Sequence, residues 1–155
     1  MELQQVNRTD AEKVFITVTN DPVLATYLIQ GVAVEWTATT TAANAGVYVN
    51  LPQVASNATT GIAAKIAGVV ETTIATGGTG RVQIYGVNDN VRASASIASS
   101  RLVVASSINA TNVGHVTLDA QTTLNSPEYH GALVGWTVDD SVDATHATVF
   151  ITTMG

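Results

Sequence analysis

The chain has 155 residues, enough for one domain with a buried core. Only 12% of it is charged, well below the ordinary quarter, and the net charge is −6 with six scattered Lys and Arg. Such a chain lacks the clustered cations of a nucleic-acid binder, cysteine is absent so disulfides and thiolate metal sites are excluded, and no run approaches the roughly 18 apolar residues of a membrane span.

Residues 1–10 are polar and aperiodic, so the chain divides into an N-terminal arm (1–10) and a single β domain (11–155). The opening Met1-Glu2-Leu3-Gln4-Gln5 holds an acid and no apolar stretch, and no signal peptide is expected. From Glu12 to Asn20 the side chains alternate, with Val14, Ile16 and Val18 on one face, and Asn20-Asp21-Pro22 supplies a turn. Ala25–Thr37 is a second strand region in which Leu28, Val32, Val34 and Trp36 share a parity and Gly31 marks a bulge or bend. Thr37–Asn44 is a low-complexity loop or exposed edge, and Gly46–Leu51 a short strand stopped by Pro52. Val54–Ala67 is ambiguous, because its alanines favour a helix while Thr59-Thr60-Gly61 breaks one. Gly61–Thr76 reads as extended, with a helical turn at Val54–Ala58 as the alternative.

The centre of the chain is Thr72–Gly86, read as strand, glycine turn, strand. Gly77, Gly78 and Gly80 make the turn, Val82, Ile84 and Gly86 take one face, and Arg81, Gln83 and Tyr85 the other, with Ile66–Glu71 a suitable partner strand. Asn88-Asp89-Asn90 is the next turn signal. Val91–Ile97, Arg101–Ser107, His115–Asp119, Gly131–Asp139 and His146–Thr153 follow as strands, separated by loops at Asn109–Gly114, Gln121–Tyr129 and Asp140–Thr145. About ten short antiparallel strands at this spacing predict an all-β sandwich or barrel.

Catalytic and metal-binding patterns are weak. Asp139, Asp140 and Asp143 lack the spacing of a calcium loop and read as a solvated turn. His115, His130 and His146 lie in different strands or strand edges, where a zinc site requires the fold to converge them. No Gly-x-Ser-x-Gly or phosphate loop is present, and the sparse acids sit mostly at turns. Neither enzyme activity, cofactor nor metal is expected. Trp36 and Trp136 lie on apolar-patterned strands, as core or interface anchors, with a carbohydrate platform as the alternative.

Two stretches carry a resemblance. Asn7-Arg8-Thr9-Asp10-Ala11-Glu12-Lys13-Val14-Phe15-Ile16 is similar to the start of small virion proteins encoded near major capsid genes in tailed bacteriophages. Gly68-Val69-Val70, followed by Thr73-Ile74-Ala75-Thr76-Gly77-Gly78-Thr79-Gly80-Arg81-Val82-Gln83-Ile84-Tyr85-Gly86, resembles a hairpin of phage capsid decoration (cement) proteins. The resemblance implies a β-rich protein, often trimeric, on the outside of an icosahedral head. There it bridges neighbouring major capsid subunits against the pressure of packaged DNA. It implies the major capsid protein as partner, self-association as a homotrimer, and a place on the virion exterior after synthesis in the host cytoplasm; the charge and hydropathy above give the expectation of no nucleic acid or membrane partner. Arg8, Asp10, Trp36, Arg81, Tyr85 and Trp136 are the expected interface residues, with Arg8 and Asp10 ordering the arm on a neighbouring subunit through charge-assisted hydrogen bonds. Small-residue strands around Val91–Ala105 also suggest a subunit contact. The competing expectations are a tail-fibre or spike module that binds host glycans through Trp36 or Trp136, and a hydrolase using scattered acids.

Overall fold

Fourteen residues, Thr79–Arg92, run as one strand, β5, and both halves of the molecule are built against it. The computed structural model describes residues 12–24, 26–37, 46–52, 65–105, 113–118, 133–139 and 145–153. Nine strands are present among these residues and no α-helix; a single 3-10 turn, Pro22–Leu24, follows the first strand. The expected arm, the loop after Thr37, the possible helical turn at Val54–Ala58 and the Gln121–Tyr129 loop lie outside the described residues.

The first half is a small closed barrel. Strands β1 (Val14–Asn20), β2 (Ala33–Trp36), β3 (Tyr48–Asn50) and β4 (Ile66–Val70) join the N-terminal part of β5 in the order β1-β3-β2-β4-β5, and β5 pairs back onto β1. Closure leaves no open edge within the ring. The pairings are antiparallel except β1 with β3, where Thr19 faces Tyr48 and Asn20 faces Val49 in parallel, a departure from the all-antiparallel expectation. The apolar parity read in the sequence points inward: Val18, Leu28, Val32, Val34, Val49, Val70 and Val82 fill the barrel, with Ile16, Trp36 and Ile84 packed at its margin.

The second half is a sheet that continues from the C-terminal part of β5 through β9 (His146–Thr152), β8 (Leu133–Thr137), β6 (Leu102–Ala105) and β7 (Val116–Leu118). Its inner face packs on the outside of β2 and β4. Ala33, Ile66 and Val69 thereby share a second core with Val91, Ile97, Val103, Val134, Val149 and Ile151. All five residues of β4 are buried for this reason: the strand is a wall between two cores, so it has no polar face. Gly68, at φ 157°, lets β4 change which side chains face which core, since a Cβ there would lie 2.6 Å from the Gln83 carbonyl oxygen.

Three expectations change at this level. The central hairpin keeps the partner Ile66–Val70, with Val69 opposite Gln83 and Val70 opposite Val82. However, Thr72–Thr76 forms no strand; Ile74 alone bridges to Leu28. Instead the glycine turn docks on the end of β1, with Gly77 N–H donating to Asn20 O (3.1 Å) and Asn20 N–H to Gly78 O (2.9 Å). Asn88-Asp89-Asn90 is no turn between strands but a bulge inside β5, across which the register with β9 shifts. The same local hydrogen bonding that makes Asn and Asp turn residues is present, Asn90 N–H donating to Asn88 Oδ1 at 2.9 Å, yet pairing on both sides carries the strand through it. Finally, within the expected contact stretch Val91–Ala105, the side chains of Val91, Ala93, Ile97, Val103 and Ala105 fill the chain's own second core, which leaves Ala95, Ser96, Ala98 and Leu102 among those exposed.

Candidate protein-interaction face

The outer side of the second sheet carries a row of aromatic and aliphatic side chains. Along β9, Ala147, Val149 and Ile151 point into the core, which turns Phe150 outward. Phe150 lies opposite Trp136 on β8 and Val87 on β5, and Trp136 lies opposite Leu102 on β6. Tyr85, two residues from Val87 on the same face, meets the Phe150 ring edge-on, with centroids 5.1 Å apart and planes at 83°. Phe150 and Trp136 stack at 4.5 Å and 14°. Val14 lies opposite Tyr85 and extends the row onto the barrel.

The row is uncharged and open. Leu102 is 52% exposed, Tyr85 44% and Trp136 41%, all unusual for side chains of this size on a sheet. Aromatic contacts of this kind add about 0.5–1.5 kcal/mol beyond area burial, so the strip is held in shape before any partner arrives. Large, rigid aromatic anchors are the side chains that dominate protein contacts.

The sequence-derived interface residues divide into separate places. Tyr85 and Trp136 come together, joined by Phe150, which was not among them. The signal for Phe150 is an aromatic residue on the otherwise polar parity of HATVFIT. Trp36 is half-buried against the barrel core, away from the row, and acts as a core anchor. Arg81 forms a two-point ion pair with Glu71, Nε to Oε2 at 2.6 Å and an Nη2 contact to Oε1 at 2.8 Å, and its guanidinium sits 4.9 Å from the centre of the Phe15 ring. Exposed pairs of this type contribute little stability, but here the pair fixes the guanidinium in place. Arg8 and Asp10 lie outside the described residues.

No group of metal-ligating side chains gathers among the described residues. His115 and His146 are near enough to repel each other when charged, beside Arg92, while His130, Asp140 and Asp143 lie outside the described residues. Burial pulls the His115 pKa below its ordinary 6.5, opposed by a backbone hydrogen bond with Ala93 and reinforced by Arg92 and His146. Its Nδ1 is buried with no hydrogen-bond partner.

No family model matches the sequence, and no curated protein does. Among solved structures the fold is similar to the head fiber gp8.5 N base in bacteriophage phi29. The TM-score is 0.52 at 10% identity, and the match covers 93% of this chain and 99% of that one. The likeness supports the all-β architecture over nearly the whole length of both chains.

Proposed function

We propose that this chain is a structural protein of a bacteriophage head, a decoration protein that sits on the capsid exterior, binds the major capsid protein and bridges neighbouring capsid subunits. The observation that carries the reading is the end-to-end fold likeness to a phage head fiber base. It agrees in kind with the sequence resemblance, which rests on other grounds. A role without catalysis follows, because a protein that holds surfaces together needs anchors rather than a reactive centre. In this reading the Leu102–Trp136–Phe150–Tyr85 row is the face applied to the capsid. An uncharged strip lets a chain of net charge −6 approach another protein without burying an unpaired charge. Trimer formation is carried over from the sequence resemblance and is read by sedimentation.

The row does not favour the glycan-binding reading. Stacking a sugar needs an open aromatic face, and Phe150 takes up one of the two faces of Trp136 and itself receives the Tyr85 ring edge-on. The test is co-sedimentation of purified protein with undecorated heads. Saturable binding at a fixed number of copies per head supports the proposal; protein remaining in the supernatant at every concentration refutes it.

A further inference from the structure

A separate feature, bordered by Glu71 of the Arg81–Glu71 pair, has a different chemistry. A cleft of about 100 Å³ opens where β5 leaves the barrel, between Lys13 and Phe15 of the first strand region, Gln30, and the Asn88–Asn90 bulge. We infer that this cleft binds one neutral, hydroxyl-rich group, a terminal sugar residue.

Its floor is preorganised. Gln83 is 1% exposed, although it shares the parity of the exposed Arg81 and Tyr85. Its amide nitrogen donates to Tyr85 O (3.1 Å) and Val87 O (3.3 Å), and its oxygen accepts from Asn88 Nδ2 at 3.0 Å. A buried amide is costly unless bonded in this way, and a fully bonded one fixes local geometry. What it fixes is the bulge. Asn90 Nδ2 donates to Asp89 Oδ1 at 2.9 Å, so these two exposed side chains are held relative to each other. Among the described residues, Asp89 Oδ2 and Asn90 Oδ1 accept no hydrogen bond.

The rim is fixed as well. Gly31, at φ 83°, lies so close to the bulge that a Cβ would collide with the Asn90 carbonyl oxygen. Arg92 Nε donates to Gln30 O at 3.1 Å, and Gln30 N–H to Thr73 Oγ1 at 3.2 Å. The Gln30 backbone is thus tied on two sides, while its side-chain amide and the Lys13 ammonium have no partner among the described residues.

The charges decide the ligand class. Glu71 is neutralised by Arg81, leaving one cation, Lys13, and one anion, Asp89. A phosphate calls for several cations and a divalent metal for several oxygen anions, and neither is matched. Amides that donate and accept, beside a carboxylate that accepts, suit adjacent hydroxyls of a neutral sugar. The small volume admits one residue rather than an extended chain. This inference does not depend on capsid attachment, because it uses a different surface.

The test is ligand-observed saturation-transfer NMR on the full chain with glucose, galactose and N-acetylglucosamine, free and as methyl glycosides, the latter standing for chain-linked sugars. At least one probe is expected to receive saturation. Asp89→Ala and Asn90→Ala, both at exposed positions, are expected to weaken its binding roughly fivefold each, the scale of one lost hydrogen bond, while Trp136→Ala leaves it unchanged. No transfer to any probe, transfer indifferent to the bulge variants, or transfer abolished by Trp136→Ala overturns the assignment.

Discussion

Trp136 and Phe150 stack face to face on the solvent side of neighbouring strands, 4.5 Å between ring centres and 14° between planes. Each ring shields the other, yet Trp136 remains 41% exposed at the centre of an uncharged row. Trp136→Ala is therefore expected to cost only about 1 kcal/mol of stability, the value of a surface aromatic pair. Loss of a central anchor weakens attachment by about 2 kcal/mol or more, at least thirtyfold. Denaturant titration and head co-sedimentation measure the two effects. A large stability loss with unchanged attachment makes the row part of the fold and not a contact.

Trp36 provides the contrast. It packs against the barrel core, so Trp36→Ala is expected to destabilise by about 3 kcal/mol, toward the lower end for core aromatics because it is only half-buried. Urea unfolding reads this as a shifted midpoint at unchanged slope.

Asn20 joins β1 to two other segments. Its Nδ2 donates to Thr26 O (2.7 Å) and Ile74 O (3.3 Å), and the residue is 1% exposed. Asn20→Ala removes this donor from both carbonyls, of which Ile74 O keeps the Leu28 N–H, an expected loss of about 1 kcal/mol. Thermal unfolding of the variant checks it; an unchanged midpoint means that water replaces the amide.

How much of this was legible in the sequence depends on the range of the interaction involved. The inward parity of Ile16–Val18 and Leu28–Trp36 is visible because side chains alternate within one strand, whereas Val14, expected on the same face, is turned outward by the register shift between it and Phe15. The pairing of Ile66–Val70 with the strand after the glycines is visible because the two lie close in the chain. Barrel closure is not, since it depends on β1 meeting β5 across most of the first half. The bulge at Asn88 reads as a turn because its local bonding is the same in both, and only the pairing of β9 with the residues on either side distinguishes them. The aromatic row is hidden for the same reason: Trp136 and Phe150 become neighbours only through the β8–β9 register. The contacts of Arg81 with Glu71 and the Phe15 ring are likewise invisible in the sequence, because they join residues brought together by the β1–β5 and β4–β5 pairings.

Acid should weaken the second sheet through His115. Its pKa in the folded chain lies below the ordinary 6.5 because burial disfavours the charged form. Below pH 6.5 the unfolded chain takes up the proton first, so stability is full above that pH and declines as the pH falls toward the folded pKa. Melting temperatures at pH 7.5 and 5.5 are expected to differ more for the wild type than for His115→Asn. Equal differences in the two proteins assign the acid sensitivity to other groups.

Electron cryomicroscopy of purified virions tests the proposed place on the outside of a phage head. Density for this fold is expected on the capsid exterior, repeating with the shell's symmetry, with the Leu102–Trp136–Phe150–Tyr85 face against the major capsid protein. Virions that carry the protein only in the tail, or lack it altogether, rule out a place on the head.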